Sequence, residues 1–175
     1  MAQAPKADFV PERCYWIILK NKNYDVLRND PAWANFADIP NVDADAENAK
    51  RGFISLGASI ADIQIYENLS FDDMKSLFGG MQRKVIQNWA AQQTSLVFVY
   101  YAGHGVMDNT VYAVCNGGQR PSKYIYGLQN RLNSLAQQKG TYVLGIFDCC
   151  REKILPAMRG GVPAEPLEDN PGDDD

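Results

Sequence analysis

The single histidine of the chain, His104, lies between two glycines directly after an apolar run. A second apolar run, further along the chain, ends in Cys149 and Cys150. An imidazole beside a thiol is the minimum requirement for a cysteine nucleophile, because the imidazole takes up the thiol proton and later protonates the leaving group. The two segments therefore suggest nucleophilic catalysis, provided that the fold brings their ends together.

Both apolar runs are typical of buried strands. The segments SLVFVYYAG (95–103) and TYVLGIFDCC (141–150) are continuously apolar, as expected of strands in a parallel sheet. In open α/β sheets, ligands bind beyond the carboxyl ends of the strands. A right-handed crossover between neighbouring strands would place His104 and Cys150 side by side at that edge.

The rest of the chain alternates between strand and helix patterns. Segments 14–21 and 59–68 predict strands, and 110–116 predicts a short one. Three helices are predicted. The first is capped by Asn41 or Asp43 and ends at Gly57, with an apolar face of Ala46, Ala49, Phe53 and Leu56. The second starts at a capping box of Ser70 and Asp73 and is broken at Gly79–Gly80, and the third covers residues 124–140 and is closed by Gly140. This alternation predicts an α/β fold with a mostly parallel central sheet and helices on both faces.

A backbone N–H group next to the histidine is a candidate for the third catalytic role. When a thiolate attacks a carbonyl, N–H groups must face the oxyanion that forms. Gly105 is a natural donor, because a residue without Cβ lets its amide approach a substrate closely. The N–H of the nucleophilic cysteine, Cys150, is the second candidate donor.

Length and composition favour one ordinary globular domain. The chain has 175 residues, of which 46% are hydrophobic and 22% charged, with a net charge of -4. The sequence contains no basic stripe, so we do not expect nucleic acid as a partner. No apolar stretch has the roughly 20 residues of a membrane span, so we expect no such span. The N-terminal residues show no targeting pattern, so we expect a cytoplasmic or nuclear protein. The four cysteines contain no CxxC pair, which favours reduced thiols over a disulfide framework.

The boundaries of the domain follow from the same patterns. We expect a flexible N-terminal arm over residues 1–13 and one catalytic domain over 14–155. Residues 156–175 are rich in Pro, Gly and acidic side chains, which predicts a tail or an inter-subunit linker.

Four motifs in this order resemble the caspase-fold cysteine peptidases, namely caspases, metacaspases and paracaspases. LVFVYYAGHG and YVLGIFDCCRE are similar to the histidine and cysteine motifs of that family, which lie about 50 residues apart. NVDADAENAKRGFISLG is similar to the family's first helix, and ENLSFDDMKSLF to the segment before the histidine strand. The resemblance implies a caspase-like three-layer αβα sandwich, a p20-type domain, and the activity of a cysteine-type endopeptidase.

The resemblance also assigns roles to individual residues. The catalytic histidine of the family falls on His104 and the catalytic cysteine on Cys150, with Cys149 at the variable position before it. Asp148 corresponds to the acid that helps to line a pocket for Arg or Lys in metacaspase-like relatives. The loop WANFADIPNVDA (33–44) offers acids and no arginine. We therefore expect a protein or peptide substrate that is cleaved after a basic residue.

Three departures from the family pattern bear on cofactors and partners. The segment 106–118 lacks the acidic cluster that binds calcium in many metacaspases, so we expect no cofactor and no metal. Glu152 stands where relatives usually have Ser or Gly. Relatives continue into a smaller portion that completes the sheet and the pocket, which implies a small-subunit or scaffold partner chain. Arg159, in AMRGG, is then a candidate processing site.

Other interpretations of the same residues remain open. The chain could be a non-catalytic caspase-like scaffold or an interaction subunit of a larger assembly. Cys149 and Cys150 could form a redox sensor, although a vicinal disulfide is strained. Zinc bound by His104 and the two cysteines would need a fourth ligand. A histidine in this place could also be a hydrogen-bonded structural residue, and Asp148 could bond a loop. We expect Cys14 and Cys115 to be core residues.

Overall fold

The computed structural model describes residues 11–116, 123–150 and 152–153. Its strands are β1 (Arg13–Lys20), β2 (Ile63–Glu67), β3 (Ser95–Gly103), β4 (Gly105–Asp108), β5 (Thr110–Val114), β6 (Ile125–Tyr126), β7 (Thr141–Cys149) and β8 (Glu152–Lys153). Its helices are α1 (Val42–Ser55), α2 (Phe71–Ala90) and α3 (Leu128–Ala136). Most of the expected N-terminal arm, the whole segment 156–175 and Arg159 lie outside the described residues.

The central sheet has four parallel strands in the order β2-β1-β3-β7. Crossovers through helices connect these strands, as parallel pairing requires. The predicted α/β fold with a parallel central sheet is therefore confirmed. The carboxyl ends of β3 and β7 are adjacent, with Gly103 paired to Cys149.

Helices cover both faces of this sheet, which produces three layers. On one face, α1 packs Val42, Ala46 and Phe53 against the sheet residues Trp16 and Tyr100. On the other face, α2 and α3 pack apolar side chains against Ile17, Leu19, Val97, Val99 and Tyr101. Leu56, which we expected on the inner face of α1, is 65% exposed. It lies just beyond the last helical residue, where the chain has begun to turn at Gly57 (φ +100°).

The helix boundaries test the local signals. The capping box of Ser70 and Asp73 is present at the start of α2, but Gly79–Gly80 does not break the helix. Each glycine costs roughly 1 kcal/mol relative to alanine. Burial of an apolar face on the sheet offsets this cost; its residues are Met74, Phe78, Met81 and Val85. The third helix is shorter than predicted at both ends, because residues 125–126 form β6 and the helix ends at Ala136, before Gly140.

A second, smaller sheet has the strand order β6-β5-β4-β8. Of its strands, the sequence predicted β5 alone. Asn109 turns β4 into β5 with a positive φ of 62°. The sheet packs against the segment between β1 and α1, through a cluster that includes the fully buried Tyr24, Leu27 and Trp33. This segment, which is rich in Asn and Asp, thus forms a second core with the smaller sheet.

Strand β7 lies at one edge of the central sheet. Its inner side chains pack on α3, whereas Tyr142, Leu144 and Ile146 on the other face are 49%, 47% and 46% exposed. We predicted a buried strand from this apolar run, and that prediction is wrong for one face, which is open within the described residues. None of the helices among the described residues is long and apolar enough to cross a membrane.

Candidate active site

His104 follows β3 directly and starts the turn into β4. Its ring Nε2 lies 2.7 Å from the carbonyl oxygen of Ala37. Because a carbonyl can only accept, Nε2 carries a proton, and in the neutral form of the ring Nδ1 is the acceptor. Nδ1 is buried and has no hydrogen-bond partner within the described part of the chain. The nitrogen that could accept a thiol proton therefore has no competing hydrogen-bond partner among the described residues.

Two aromatic rings hold the imidazole between them. The ring centroid of Tyr24 is 4.7 Å from that of His104, and the Phe36 centroid is 5.0 Å away with the rings nearly perpendicular (85°). Both aromatic residues, like Ala37, belong to the segment between β1 and α1. Trp33 is fully buried in the same cluster and packs against Phe36, with the ring centroids 5.3 Å apart. This core thus sets the orientation of the ring.

The two cysteines at the end of β7 lie in different surroundings. Cys149 is half-buried and packs against the core on the α2 and α3 side, whereas Cys150 is exposed. Successive residues of a strand point to opposite faces, which explains the difference. No disulfide joins the two. Because Cys149 pairs with Gly103, the backbone of Cys150 lies beside that of His104, as the crossover argument predicted.

Gly105 lies between the histidine and the cysteine pair. A Cβ on this residue would be 2.5 Å from Sγ of Cys149 and 2.6 Å from the carbonyl oxygen of Cys150. The N–H of Val114 donates to the carbonyl of His104, so Gly105 and Ala113 form the non-hydrogen-bonded type of antiparallel pair. The Gly105 N–H therefore points away from β5, towards the Cys150 side.

Asp148 lies on the α1 face of the sheet, one residue before the cysteine pair, and is exposed. The hydroxyl of Tyr100 donates a hydrogen bond of 2.7 Å to its Oδ2. Burial, followed by the hydrogen bond and charge of Asp148, raises the pKa of Tyr100, so the phenol remains a donor at neutral pH. One oxygen of the carboxylate is thereby held in place on an open surface.

Several residues of this site were not identified from the sequence. They are Ala37, whose carbonyl holds the imidazole, the aromatic residues Tyr24 and Phe36, and the hydroxyls of Tyr100 and Tyr101. The one signal available was the number of large apolar side chains in a segment otherwise rich in Asn and Asp.

The structure also bears on the metal alternative. In the described ranges, no group of three or more His, Cys, Asp or Glu side chains is arranged to hold a metal ion. The structure gives the zinc interpretation of His104 and the two cysteines no support.

A model of the caspase-domain family matches residues 13–174. The comparison with curated proteins gave no match. The family consists of cysteine peptidases in general, and the match spans the histidine and cysteine motifs together with the parallel sheet that carries them. The layered fold and the extent of the match show that the chain belongs to the caspase-domain family.

Proposed function

We propose that the protein is a cysteine endopeptidase in which Cys150 is the nucleophile and His104 the general base and acid. The observation that carries the proposal is the state of the imidazole. Its Nε2 is bound to Ala37, its Nδ1 is buried without a partner, and an exposed thiol follows the neighbouring strand. A histidine with a purely structural role would be expected to satisfy both ring nitrogens.

The reaction follows from this arrangement. Nδ1 of His104 takes the proton of Cys150, and the thiolate attacks the carbonyl carbon of the peptide. The N–H groups of Gly105 and Cys150 stabilise the oxyanion of the tetrahedral intermediate. The imidazolium then returns its proton to the leaving amine as the C–N bond breaks. Water, deprotonated by His104, hydrolyses the thioester and regenerates the thiol.

We propose cleavage after Arg or Lys, as in metacaspases. Asp148 offers an exposed carboxylate on the strand that ends in the nucleophile, and Tyr100 fixes one of its oxygens. A carboxylate held in this way suits the planar guanidinium of an arginine or the ammonium of a lysine. Tyr100→Phe should therefore lower kcat/KM for a basic peptide while it leaves the fold intact.

One cysteine substitution with one matched control tests most directly whether Cys150 is the nucleophile. Cys150→Ala should abolish hydrolysis of a fluorogenic peptide with Arg before the scissile bond, and Cys14→Ser should retain it. Cys14, which we wrongly expected in the core, is also exposed, but it lies near the amino end of β1. Partial burial of its thiol, followed by the charge of Asp62, raises the pKa of Cys14. Hydrolysis that persists in purified Cys150→Ala would refute the assignment.

The cofactor expectation has its own assay. We propose that hydrolysis requires no calcium and no other metal. The rate in a chelator such as EDTA should equal the rate in millimolar calcium. A rate that depends on calcium would overturn this part of the proposal.

We also propose a partner strand, from a small subunit or a scaffold chain, along β7. Three apolar side chains are about half-exposed on this edge strand, and its outer edge has no neighbour within the described sheet. Such an edge is a template for further strand pairing. If the site needs this strand, addition of the partner should raise kcat/KM, and Leu144→Lys should weaken that stimulation.

The competing function is a non-catalytic scaffold that acts through the β7 face alone. A peptidyl acyloxymethyl ketone with a terminal arginine separates the two, because it reacts with an activated thiol in a formed site. Fast labelling of the native protein, lost in Cys150→Ala, supports the peptidase. Labelling no faster than that of Cys14, with intact binding to a partner, supports the scaffold.

A further inference from the structure

Two buried phenols lie beneath the catalytic segment, on either side of the peptide groups of His104. We propose that Tyr24 and Tyr101 are positioning residues that hold the His104 backbone, and through it the imidazole, in its working orientation. This inference rests on the proposed function for its kinetic consequence. Its structural part can be measured without any activity.

The hydroxyls contact the two ends of one residue. The His104 N–H donates to the hydroxyl oxygen of Tyr24 at 2.9 Å. The hydroxyl of Tyr101 donates to the carbonyl oxygen of His104 at 2.6 Å. The backbone of His104 is thus fixed at its amide and at its carbonyl by side chains from two different segments.

The direction of the first hydrogen bond is set by a further contact. The Tyr24 hydroxyl donates its own proton to the carbonyl oxygen of Asn21 at 2.8 Å, which leaves a lone pair for the His104 N–H. Asn21 is fully buried, and its side chain bonds the Val114 carbonyl and the Leu69 N–H, both at 2.9 Å. The network therefore extends from the catalytic turn into the core.

The burial of these groups argues for orientation and against proton transfer. Tyr24 and Tyr101 are both 0% exposed. Burial is the main cause that raises the pKa of each phenol, so both remain protonated at neutral pH. A hydroxyl that stays protonated can donate and accept hydrogen bonds without taking part in the proton transfers of the reaction.

The arrangement of the two hydroxyls requires a glycine at position 103, directly before the histidine. A Cβ there would lie 2.7 Å from the Tyr101 hydroxyl oxygen, 2.8 Å from that of Tyr24 and 3.0 Å from the Asn21 carbonyl oxygen. The two hydroxyls occupy the space that an ordinary side chain would take. Gly103 and the phenols thus form a single packed unit under His104.

Tyr24→Phe leaves the His104 N–H without its buried acceptor, and Tyr101→Phe removes the shorter of the two hydrogen bonds to the His104 carbonyl, which keeps the N–H of Val114. In both variants the turn is expected to shift. For Tyr24→Phe and Tyr101→Phe, we expect kcat to fall about 10- to 100-fold, because displacements below 1 Å at a reacting group have effects of this order. KM should change little, because neither phenol reaches the surface where substrate binds. Tyr112→Phe is the matched control, since this buried tyrosine belongs to the same cluster as Tyr24 but does not bond the His104 peptide.

The single histidine makes the structural readout unambiguous. The ¹⁵N-edited NMR spectrum of the imidazole should show only the Nε2-protonated tautomer in the wild-type protein and in Tyr112→Phe. In the two variants, the signals should shift towards a mixture of tautomers as the ring leaves the Ala37 carbonyl. A wild-type spectrum and wild-type kcat in both variants, whatever their melting temperatures, would overturn the proposal.

Two controls keep this test separate from the proposed function. If no peptide is cleaved, the NMR comparison still decides whether the phenols orient the ring. If the variants do not fold, hydrogen exchange in the wild-type protein takes their place. The His104 amide should then be protected as strongly as the amides of β3, and exchange at the rate of an open loop would refute the role of Tyr24.

Discussion

Gly105→Ala tests whether the turn that contains His104 and the end of β7 are packed as closely as the structure has them. The new Cβ would lie 2.6 Å from the carbonyl oxygen of Cys150, and an ordinary contact needs about 3.4 Å. The backbone of Cys150 or of Gly105 must therefore move by about 0.8 Å, since a backbone carbonyl cannot rotate away as a flexible side chain would. A misplacement of 1 Å costs about 100-fold in rate, so we expect kcat to fall on the order of 40-fold.

The same clash should lower the free energy of unfolding by about 1–3 kcal/mol, the usual cost of overpacking. The assays are hydrolysis of a basic fluorogenic peptide and urea unfolding of the purified variant. Adding Cys149→Ala removes the Sγ contact at 2.5 Å but keeps the Cys150 carbonyl in place. The double variant should therefore regain part of the stability and little of the activity.

Gly52→Ala is the matched control. Gly52 lies in the interior of α1, and nothing lies within 4 Å of the position of an added Cβ. Alanine should raise the free energy of unfolding by roughly 0.5–1 kcal/mol and leave kcat unchanged. If Gly105→Ala behaves like Gly52→Ala in both assays, the close approach of the two strand ends is wrong, and the proposed dyad loses its geometric basis.

Three further predictions concern stability. Leu132→Ala should lower the free energy of unfolding in urea by about 2–5 kcal/mol, because Leu132 is only 5% exposed. Leu144 is 47% exposed, so Leu144→Ala should cost about 1 kcal/mol or less. Equal losses would mean that the outer face of β7 is covered. Ser70→Ala should lower the free energy of unfolding by about 1 kcal/mol at pH 7. The Ser70 hydrogen bond lowers the pKa of Asp73 below its ordinary 3.8, so the difference in stability between variant and wild type should shrink as the pH falls through the folded-state pKa of Asp73. A stability difference that stays constant down to pH 2 would contradict this prediction. Trp33→Ala should lower the free energy of unfolding by about 3–5 kcal/mol. The molecules that remain folded should also lose most of their activity, because Trp33 supports the segment that orients the imidazole. A destabilised variant with wild-type kcat would exclude that support.

Much of the central sheet was predictable, because its signals are local. Apolar runs marked β1, β3 and β7, and the hydroxyl and carboxylate of Ser70 and Asp73 marked the start of α2 within four residues. The adjacency of the His104 and Cys150 segments also followed, since parallel strands linked by a right-handed crossover share an edge. In each case the information lies within one element or one topological rule.

The second sheet and the support of the imidazole were not predictable in the same way. β4, β6 and β8 contain four residues or fewer, which is too short for a periodic pattern. The contact between His104 and Ala37 joins residues that are 67 positions apart, and it uses a backbone carbonyl that every residue type possesses. No side-chain identity could have indicated it.

The sequence by itself determined which residues are candidates for the chemistry, the order of the sheet and helix segments, and the family to which the chain belongs, because these depend on residue type and local periodicity. The tertiary structure alone decided which ring nitrogen of His104 is held, which of the two cysteines reaches the surface, and which face of β7 lies open. Those outcomes depend on contacts between segments far apart in the chain. Packing against a neighbouring layer selects among arrangements that the local sequence permits equally.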